Sequence, residues 1–455
     1  MKSNPPEPNG SAGAPSASDP AGPLAGVRVL DLTHVMAGAW CGCLLAQMGA
    51  DVIKVERPTP GEELRMGQAR TGGAFRPFDA VNHGKRSISI DLDRPEGVEI
   101  VRQLALSADV LVENYRPGSL EARGLGYDAL AAEHPALIYA SITAFGRTGP
   151  YRDRPGFDLI AQAAAGLMSL TGEKDAAPMS AGVPVADLGA GTLAALGVLS
   201  AWIHRLRTGQ GQLVDTSLFE AALSTTLWES ALFLDTGRVA RANGARHRLA
   251  SPYGCFPTAD GWIAIAAGTQ RTYRQLLEVI GDEALANAPE FATPVERLRH
   301  RDDLEARLRA LLARRTSAEW LAELEAAGVP CGPVNDMESV WQDPQTLARD
   351  MLAEGATAPE AGDAARPLRV VGPAVKLSAS PWQASGSAPV LGEDSRAVLA
   401  EAGWSAEEIE GWIAEGIVEA PPRDPGEEIG AGRAAPAPLR AAVGSASGGR
   451  SGSGE

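Results

Sequence analysis

The sequence is poor in cysteine, in aromatic residues and in positive charge. Its 455 residues include four cysteines, aromatic residues make up 5%, and the formal net charge is −16. Four cysteines do not make the disulfide framework of a secreted domain, and Cys41 and Cys43 lack the second Cys/His pair of a structural zinc site. Nucleic acids and anionic membranes bind basic faces. The composition therefore predicts reduced thiols in the cytoplasm and no metal, nucleic-acid or membrane partner.

Long apolar runs are also missing. No segment reaches the roughly 18 apolar residues of a membrane span, the longest being the stretch around Ala190–Ile203, and the N-terminus has no apolar signal segment. Residues 1–22 and 419–455 are rich in Pro, Gly, Ser and Ala and hold few large apolar side chains. We expect both ends to be disordered tails.

Between the tails, apolar strand patterns alternate with helical ones. Strands are expected to start at Val27 and Asp51, with a helix of small residues between them that ends before Gly49. Later strands are expected at 87–92, 110–112 and 137–141, and Asp93 is expected to cap the helix that follows the first of these. This alternation predicts an α/β fold with a doubly wound parallel sheet. We place a large domain at 23–225, a smaller α/β domain at 226–345 and a C-terminal segment at 346–418.

Several common catalytic and nucleotide-binding motifs are absent. The chain contains no G-x-x-x-x-G-K-[ST] phosphate loop, no G-x-G-x-x-G after the first strand, no H-E-x-x-H and no G-x-S-x-G. Residues 54–123, however, hold as many basic as acidic residues, so the whole negative charge lies elsewhere. Basic side chains in this stretch are either solvated surface charges or a local site for a polyanionic small molecule.

A series of motifs in one order identifies a family resemblance. The motifs are V-L-D-L-T-H-V-M-A-G (29–38), G-A-D-V-I-K-V-E-R-P (49–58), N-H-G-K-R-S (82–87), D-V-L-V-E-N-Y-R-P-G (109–118), A-S-I-T-A-F-G-R-T-G-P (140–150), R-P-G-F-D-L-I (154–160), V-A-D-L-G-A-G (185–191), R-T-G-Q-G-Q-L-V-D-T-S-L-F-E-A (207–221) and G-V-P-C-G-P-V-N (328–335). Together they resemble the class III CoA-transferases, the carnitine/formyl-CoA transferase superfamily that also contains 2-methylacyl-CoA racemases.

The resemblance implies a fold, an assembly and an activity. Members have a large Rossmann-like domain, a small domain and a C-terminal segment that returns to the large one, and two chains form an interlocked homodimer. The resemblance thus implies an enzyme whose partners are an acyl-CoA donor and a carboxylic acid acceptor. Coenzyme A would be a substrate, with no tightly bound cofactor.

Asp187 lies where the family has its catalytic aspartate. A carboxylate nucleophile can keep the energy of a thioester by forming an aspartyl anhydride and then an aspartyl-CoA thioester. The resemblance also places the amides of Ala267, Gly268 and Thr269 as candidates for the oxyanion hole. The alternative for Asp187 is a helix N-cap, and one residue can fill both roles.

The resemblance assigns CoA binding to a set of loop residues, namely His34, Val35, Ala37, Arg57, Asn114, Tyr115 and Arg123. Without it, His34 would be a locally bonded loop residue and Tyr115 a core residue. The sequence departs from the family at Ala122, where many members have a basic residue. Arg123 follows it, and a shift of one position on a helix turns a side chain by about 100°.

Three alternatives to a transferase remain open in the sequence. Racemases of the superfamily use the His of a G-H-D motif to move an α-proton, whereas this chain has Phe157 at that position. A non-catalytic CoA-binding subunit and an NAD-dependent oxidoreductase are the others. For a transferase, succinyl-CoA is the first donor to test, with a small dicarboxylic acid as acceptor. Its second carboxylate would meet Arg76, Arg152 or Arg246, unless these are ordinary surface charges.

Overall fold

The computed structural model describes residues 22–70, 75–354, 367–383, 386–422 and 440–441. The chain divides into two compact units, a larger one of 1–158, 186–221 and 348–455 and a smaller one of 159–185 and 222–347. Residues 159–185, which were expected in the large domain, thus group with the smaller unit. The expected tails, 1–22 and 419–455, lie almost entirely outside the described residues.

The strands, in chain order, are β1 (Arg28–Asp31), β2 (Asp51–Glu56), β3 (Arg86–Ile90), β4 (Val110–Glu113), β5 (Ile138–Thr143), β6 (Leu213–Ser217), β7 (Tyr253–Pro257), β8 (Trp262–Ala266), β9 (Cys331–Pro333), β10 (Leu352–Glu354), β11 (Arg369–Val371), β12 (Val418–Glu419) and β13 (Arg440–Ala441). The helices are α1 (Ala37–Gln47), α2 (Glu63–Arg70), α3 (Pro77–Asn82), α4 (Pro95–Leu106), α5 (Tyr127–Glu133), α6 (Asp158–Ala164), α7 (Val185–Thr208), α8 (Leu218–Thr225), α9 (Leu227–Thr236), α10 (Gln270–Ile280), α11 (Glu283–Ala286), α12 (Pro294–Arg299), α13 (Arg301–Leu312), α14 (Ser317–Ala326), α15 (Met337–Val340), α16 (Pro344–Ala348), α17 (Ser395–Glu401) and α18 (Ala406–Ala414). Short 3₁₀ helices lie at Glu121–Arg123, Leu167–Ser169 and Pro289–Phe291.

A seven-stranded sheet in the order β12-β3-β2-β1-β4-β5-β6 forms the centre of the larger unit. Every neighbouring pair is parallel except β12 with β3. The order 3-2-1-4-5-6 is that of doubly wound nucleotide-binding folds, which confirms the predicted fold class. The strand order reverses between β1 and β4, and in such sheets ligands bind beyond the carboxyl ends of the strands at this point.

The C-terminal part of the chain adds an edge to this sheet. In β12, Val418 pairs with Ile90 of β3 in antiparallel register. Apolar side chains of α17 and α18, among them Val398 and Ile409, are buried in the same core as β3. The described residues 386–422 therefore complete the larger unit.

Helix α7 is longer and less buried than expected. It runs for 24 residues and, by length and composition alone, is apolar enough to cross a membrane, the one such helix among the described residues. One face, with Ala190, Ala194 and Val198, is buried. Because a Cβ at Gly191 would overlap the Ala37 carbonyl oxygen, α7 and α1 pack with backbones almost touching. This face is that of a core helix of the larger unit.

The helix after β3 starts differently from the prediction. Arg94 precedes the first helical residue and no side chain caps the helix. Asp93, the expected cap, instead accepts a 3.0 Å ion-pair bond from Arg123. Pro95 is at the first helical position and has no N–H group to be capped, so the helix begins without a side-chain cap.

The smaller unit has its own sheet and core. Strands β7, β8 and β9 are antiparallel neighbours. Their inner side chains, such as Phe256 and Ile263, pack with Leu304 of α13 and Trp320 of α14. The four cysteines of the chain are free thiols.

Candidate active site

The loop between β1 and α1 is fixed at its start by buried charges. Asp31 accepts hydrogen bonds from the N–H and hydroxyl of Thr33, at 2.9 and 2.6 Å, and forms a 2.8 Å ion pair with Lys85. The ammonium group of Lys54 donates to the Thr33 carbonyl at 2.7 Å. Burial alone would raise the pKa of Asp31, but Lys85 and Lys54 outweigh it and lower that pKa. The loop therefore leaves the sheet from an ionised, fully bonded carboxylate.

Asn114 and Glu62 determine the path of the loop beyond Thr33. The Asn114 side chain accepts from the His34 N–H at 2.9 Å and donates to the His34 carbonyl at 2.8 Å. Glu62 accepts from the Val35 N–H at 2.6 Å, and Val35 has a φ of 61°. Such a conformation is strained for a β-branched residue and persists only where neighbours impose it.

Four of the residues assigned to CoA thus lie together at the carboxyl ends of β1 and β4. The ring of Tyr115 meets that of His34 edge-on, with centroids 5.1 Å apart. Burial lowers the pKa of His34, so the imidazole is neutral at pH 7. Ala37 is buried as the first residue of α1. The side chain of Asn114 is spent on the loop backbone, which makes its role one of shaping the loop.

The two arginines assigned to CoA differ in their freedom. Arg57 donates to the Gly61 carbonyl at 2.7 Å and pairs with Glu63 at 3.2 Å, and both charged side chains are about half exposed, at 53% and 47%. Arg123 donates to the carbonyls of Leu92 and Ser119 and to Asp93. Arg57 can exchange an exposed partner for a phosphate at small cost, whereas the Arg123 guanidinium is already engaged on three sides.

Beside Asn114, β4 ends in a buried carboxyl group. Glu113 accepts from the Tyr115 N–H at 2.8 Å and lies 3.9 Å from the Arg147 guanidinium. Burial raises its pKa to about 7, against the hydrogen bonds and the Arg147 charge. A carboxyl group that titrates near neutrality directly precedes the Asn114–Tyr115 turn.

Asp187 lies in the first turn of α7 and is half-buried. Its carboxylate makes no hydrogen bond or ion pair within the part of the chain that the structure describes. Asp158 accepts hydrogen bonds from the N–H groups of Ala186 and Asp187, at 2.8 and 3.2 Å. Burial, followed by the charge of Asp158, raises the pKa of Asp187 to about 6. Asp187 is therefore not the cap of its helix; a remote carboxylate caps the helix instead.

Phe157, which the resemblance places at the position of the racemase histidine, has no group that exchanges protons. Its side chain is 72% exposed, and Asp158 follows it at the start of α6. Asp158 was not predicted as a site residue, although it belongs to the same G-F-D motif. Glu62 was not predicted as a site residue either. The only indication in the sequence was that an acidic residue lies in the loop after β2.

The glycine loop after β8 is arranged by a buried arginine in the smaller unit. The Ala267 N–H donates to the Pro252 carbonyl at 2.9 Å, so it is not available to bind an oxyanion. Arg297, 0% exposed, donates to the carbonyls of Gly268 and Ser251. Among the described residues no acceptor lies against the N–H groups of Gly268 and Thr269, which leaves these two as candidates.

The three arginines suggested for a second substrate carboxylate already pair with protein carboxylates. Arg76 lies 3.2 Å from Asp79 and Arg152 lies 3.2 Å from Asp153. Arg246 pairs with the buried Glu305 at 2.8 Å. Each of them would have to leave a partner to bind a substrate.

Comparison with known proteins identifies the family of the chain. Residues 24–395 match the sequence family described as CoA-transferase family III. The succinate–glutarate CoA-transferase of Agrobacterium fabrum is 38% identical, over 83% of this chain and 95% of that protein. The succinyl-CoA:glutarate CoA-transferase of Mus musculus is 35% identical, over 87% and 90%.

A solved structure shares the fold over almost the same range. The crystal structure of a CaiB/BaiF family protein from Brucella suis matches with a TM-score of 0.76 and 36% identity, covering 84% of this chain and 100% of that chain. Sequence, fold and relatives agree over most of the chain. The chain therefore belongs to CoA-transferase family III and is a CoA-transferase acting on acyl-CoA and carboxylic acid substrates.

Proposed function

We propose that the enzyme transfers CoA from succinyl-CoA to a second small dicarboxylic acid, with Asp187 as the nucleophile. The observation that carries this proposal is the Asp187 carboxylate, which is half-buried and without a bonded partner among the described residues. Burial raises its pKa to about 6, so it is mostly ionised at pH 7 and more basic than an ordinary carboxylate. Such a group is prepared to attack a carbonyl carbon.

The reaction proceeds through two covalent forms of Asp187. The carboxylate attacks the thioester carbonyl, the C–S bond breaks, and an aspartyl–succinyl anhydride and CoA thiolate form. The thiolate attacks the Asp187 carbonyl, which releases succinate and leaves an aspartyl-CoA thioester. The acceptor carboxylate attacks that thioester and expels the thiolate, which then attacks the acceptor carbonyl of the new anhydride. Acceptor-CoA leaves and the Asp187 carboxylate is restored.

Each tetrahedral intermediate carries a negative oxygen that needs N–H donors, and one donor is typically worth about 10²–10³ in rate. The family resemblance points to the loop of Gly268 and Thr269 for this role, and neither N–H group has an acceptor among the described residues. Ala267 is left out because its N–H is bonded to Pro252.

The nucleotide part of CoA is proposed to bind at the carboxyl ends of β1, β2 and β4. His34, Val35, Ala37 and Tyr115 would form the pocket, Asn114 would hold its loop, and Arg57 would meet a phosphate. Arg123, with its guanidinium bonded to Leu92, Ser119 and Asp93, would contribute little. CoA enters and leaves as a substrate, and no tightly bound cofactor takes part.

The choice of substrates is supported by the relatives. Proteins 36% identical to this chain are named for succinyl-CoA with D-citramalate and with L-malate, in addition to the glutarate enzymes. The test is a mass-spectrometric panel of succinyl-, acetyl- and formyl-CoA against glutarate, malate, citramalate and oxalate. We expect the highest kcat/KM with succinyl-CoA as the donor and with glutarate, malate or citramalate, rather than oxalate, as the acceptor. Failure of every pair to exchange CoA would contradict the proposal and favour a non-catalytic subunit.

Racemisation is tested separately. Because Phe157 cannot carry a proton, 2-methylacyl-CoA incubated with the enzyme in D₂O should gain no α-deuterium. Deuterium incorporation that depends on Asp187 would overturn the assignment to CoA transfer.

The assembly and the compartment are part of the proposal. We propose a homodimer, interlocked as the family resemblance implies, because α7 carries an exposed apolar stripe at helical spacing. The stripe consists of Leu193, Leu196, Ile203 and Leu206, which are 38%, 59%, 50% and 70% exposed. Exposed stripes of this kind mark protein interfaces.

The four free thiols fit a reducing compartment, and we place the enzyme in the cytoplasm.

A further inference from the structure

We propose that Asp158 is a positioning residue for CoA transfer: it caps the helix that carries Asp187 and keeps a second negative charge beside that nucleophile. This inference rests on the proposed role of Asp187. It gives a function to the acidic member of the G-F-D motif.

Hydrogen bonds at the start of α7 fix the backbone that carries Asp187. The first N–H groups of a helix have no partner inside the helix and are usually bonded by the residue just before it. Here that residue is Pro184, which has no side-chain acceptor. The carboxylate of Asp158 takes its place and accepts from Ala186 at 2.8 Å and from Asp187 at 3.2 Å. The position of the Asp187 backbone is therefore set by the start of α6.

The charge around Asp187 is negative. Asp158 is the charged group that acts on Asp187. From α1, the residues against α7 at Gly191 are Ala37, Trp40 and Cys41, of which Ala37 is apolar. Trp40 is uncharged, and burial raises the pKa of Cys41 to about 12, so this side adds no charge near neutral pH. No cationic side chain among the described residues lowers the pKa of Asp187, and the contribution that opposes the repulsion by Asp158 is that of the α7 N-terminus, which favours the ionised form.

This repulsion changes during the reaction. In the aspartyl anhydride and in the aspartyl-CoA thioester, the Asp187 carbonyl is uncharged. The repulsion by Asp158 is present before attack and absent in both intermediates, so it raises the energy of the free carboxylate relative to the states that follow. The same repulsion makes Asp187 more basic and thereby a stronger nucleophile.

The test compares neutral residues at position 158 that still accept hydrogen bonds. Asp158→Asn and Asp158→Ser keep a capping oxygen and remove the charge, whereas Asp158→Ala removes both. Asp128→Asn is the matched control, because Asp128 is an exposed acid in the first turn of α5. The readout is the pH dependence of kcat/KM for succinyl-CoA with the acceptor that exchanges best, and thermal unfolding identifies variants that fail to fold.

At low pH, kcat/KM falls because Asp187 becomes protonated, and we call this fall the acid limb. We expect the acid limb of the Asn and Ser variants to move to lower pH by about one unit, because the negative charge beside Asp187 is gone. Asp128→Asn should behave as the wild type. A cap that serves only the fold would leave that limb where it is, and either such a result or a shift to higher pH overturns the inference. Asp187→Asn separates the nucleophile from its neighbour. If that variant still transfers CoA, the nucleophile itself is misassigned; if it is inactive and the limb of Asp158→Asn is unmoved, only the role of Asp158 is wrong.

Discussion

Glu113 illustrates how a single buried residue can tie stability to pH. Its pKa is raised to about 7 by burial, above the value of about 4.3 for an unfolded chain. The folded state therefore holds the proton more tightly, and unfolding releases it between these two pH values. The free energy of unfolding consequently falls as the pH rises through this window.

Replacing Glu113 by Gln removes this loss. We expect Glu113→Gln to unfold with a free energy on the order of 1–3 kcal/mol higher than wild type at pH 8 and nearly equal at pH 4.5, because Gln resembles the protonated acid. Urea unfolding at both pH values measures the difference. Glu133→Gln, at an exposed position, is the control, and an equal effect of Glu113→Gln at both pH values would show that the carboxyl does not titrate in this range.

At this scale the sequence predicts which residues lie together better than it predicts what their side chains contact. His34, Val35, Asn114 and Tyr115 were expected near CoA, and they do lie together. Asn114 bonds the backbone of a residue 80 positions away, a contact that no local pattern encodes. The prediction that Asp93 caps a helix rested on spacing alone and is wrong. An arginine from another element pairs with Asp93 instead.

At the scale of elements, the contact between α7 and α1 depends on the absence of a side chain. A Cβ at Gly191 would overlap the Ala37 carbonyl oxygen and lie 3.0 Å from Trp40 Cδ1. We expect Gly191→Ala to push the helices apart, to lower stability by roughly 1–3 kcal/mol and to reduce kcat, since Asp187 lies one turn away. In α18, a Cβ at Gly411 would meet no atom within 4 Å, so Gly411→Ala should be neutral or stabilising. Equal thermal stability of both variants would contradict this packing argument.

Arg297 connects the segments of the smaller unit that flank the glycine loop. Its guanidinium donates to the carbonyls of Ser251, Gly268 and Phe291. Arg297→Met would leave buried carbonyls unpaired and should cost roughly 2–4 kcal/mol in unfolding free energy. Arg299→Met, on the same helix with a side chain 65% exposed, should change little. If the two variants unfold alike, the buried guanidinium does not hold the loop.

Periodicity predicts the elements of the sheet well because buried parallel strands are continuous apolar runs. Periodicity did not predict the pairing of β12 with β3. Strand β12 has only two residues, and the strand with which it pairs lies more than 300 positions earlier in the chain. Tertiary packing, and not a local pattern, therefore decides this pairing. The segment 159–185 likewise carries no composition that marks its grouping with the smaller unit.

At the scale of the whole molecule, the exposed apolar stripe of α7 is the surface that the proposed homodimer would cover. A chain of 47.3 kDa should sediment and scatter light with about twice that mass. Leu196→Glu, in the middle of the stripe, should reduce the dimer or the yield of folded protein, whereas Leu347→Glu, at an exposed apolar site of α16, should not. A wild-type enzyme of single-chain mass with full activity would contradict the homodimer.

The net charge of −16 is compatible with a polyanionic substrate because it is unevenly distributed. The segment 54–123, in which charges balance, supplies the loops after β2 and β4 around His34. The charge excess lies outside this segment, and Arg57 is left with an exposed partner that a phosphate can replace.

Trapping of a covalent intermediate decides whether Asp187 carries CoA during turnover. The enzyme is mixed with succinyl-CoA without an acceptor, quenched in acid and measured as an intact protein, then digested. We predict a covalent CoA adduct with loss of one water, on the peptide that contains Asp187, which disappears in Asp187→Asn and on addition of the acceptor acid. An adduct on another residue, or full CoA transfer by Asp187→Asn, would show that Asp187 is not the residue that carries CoA.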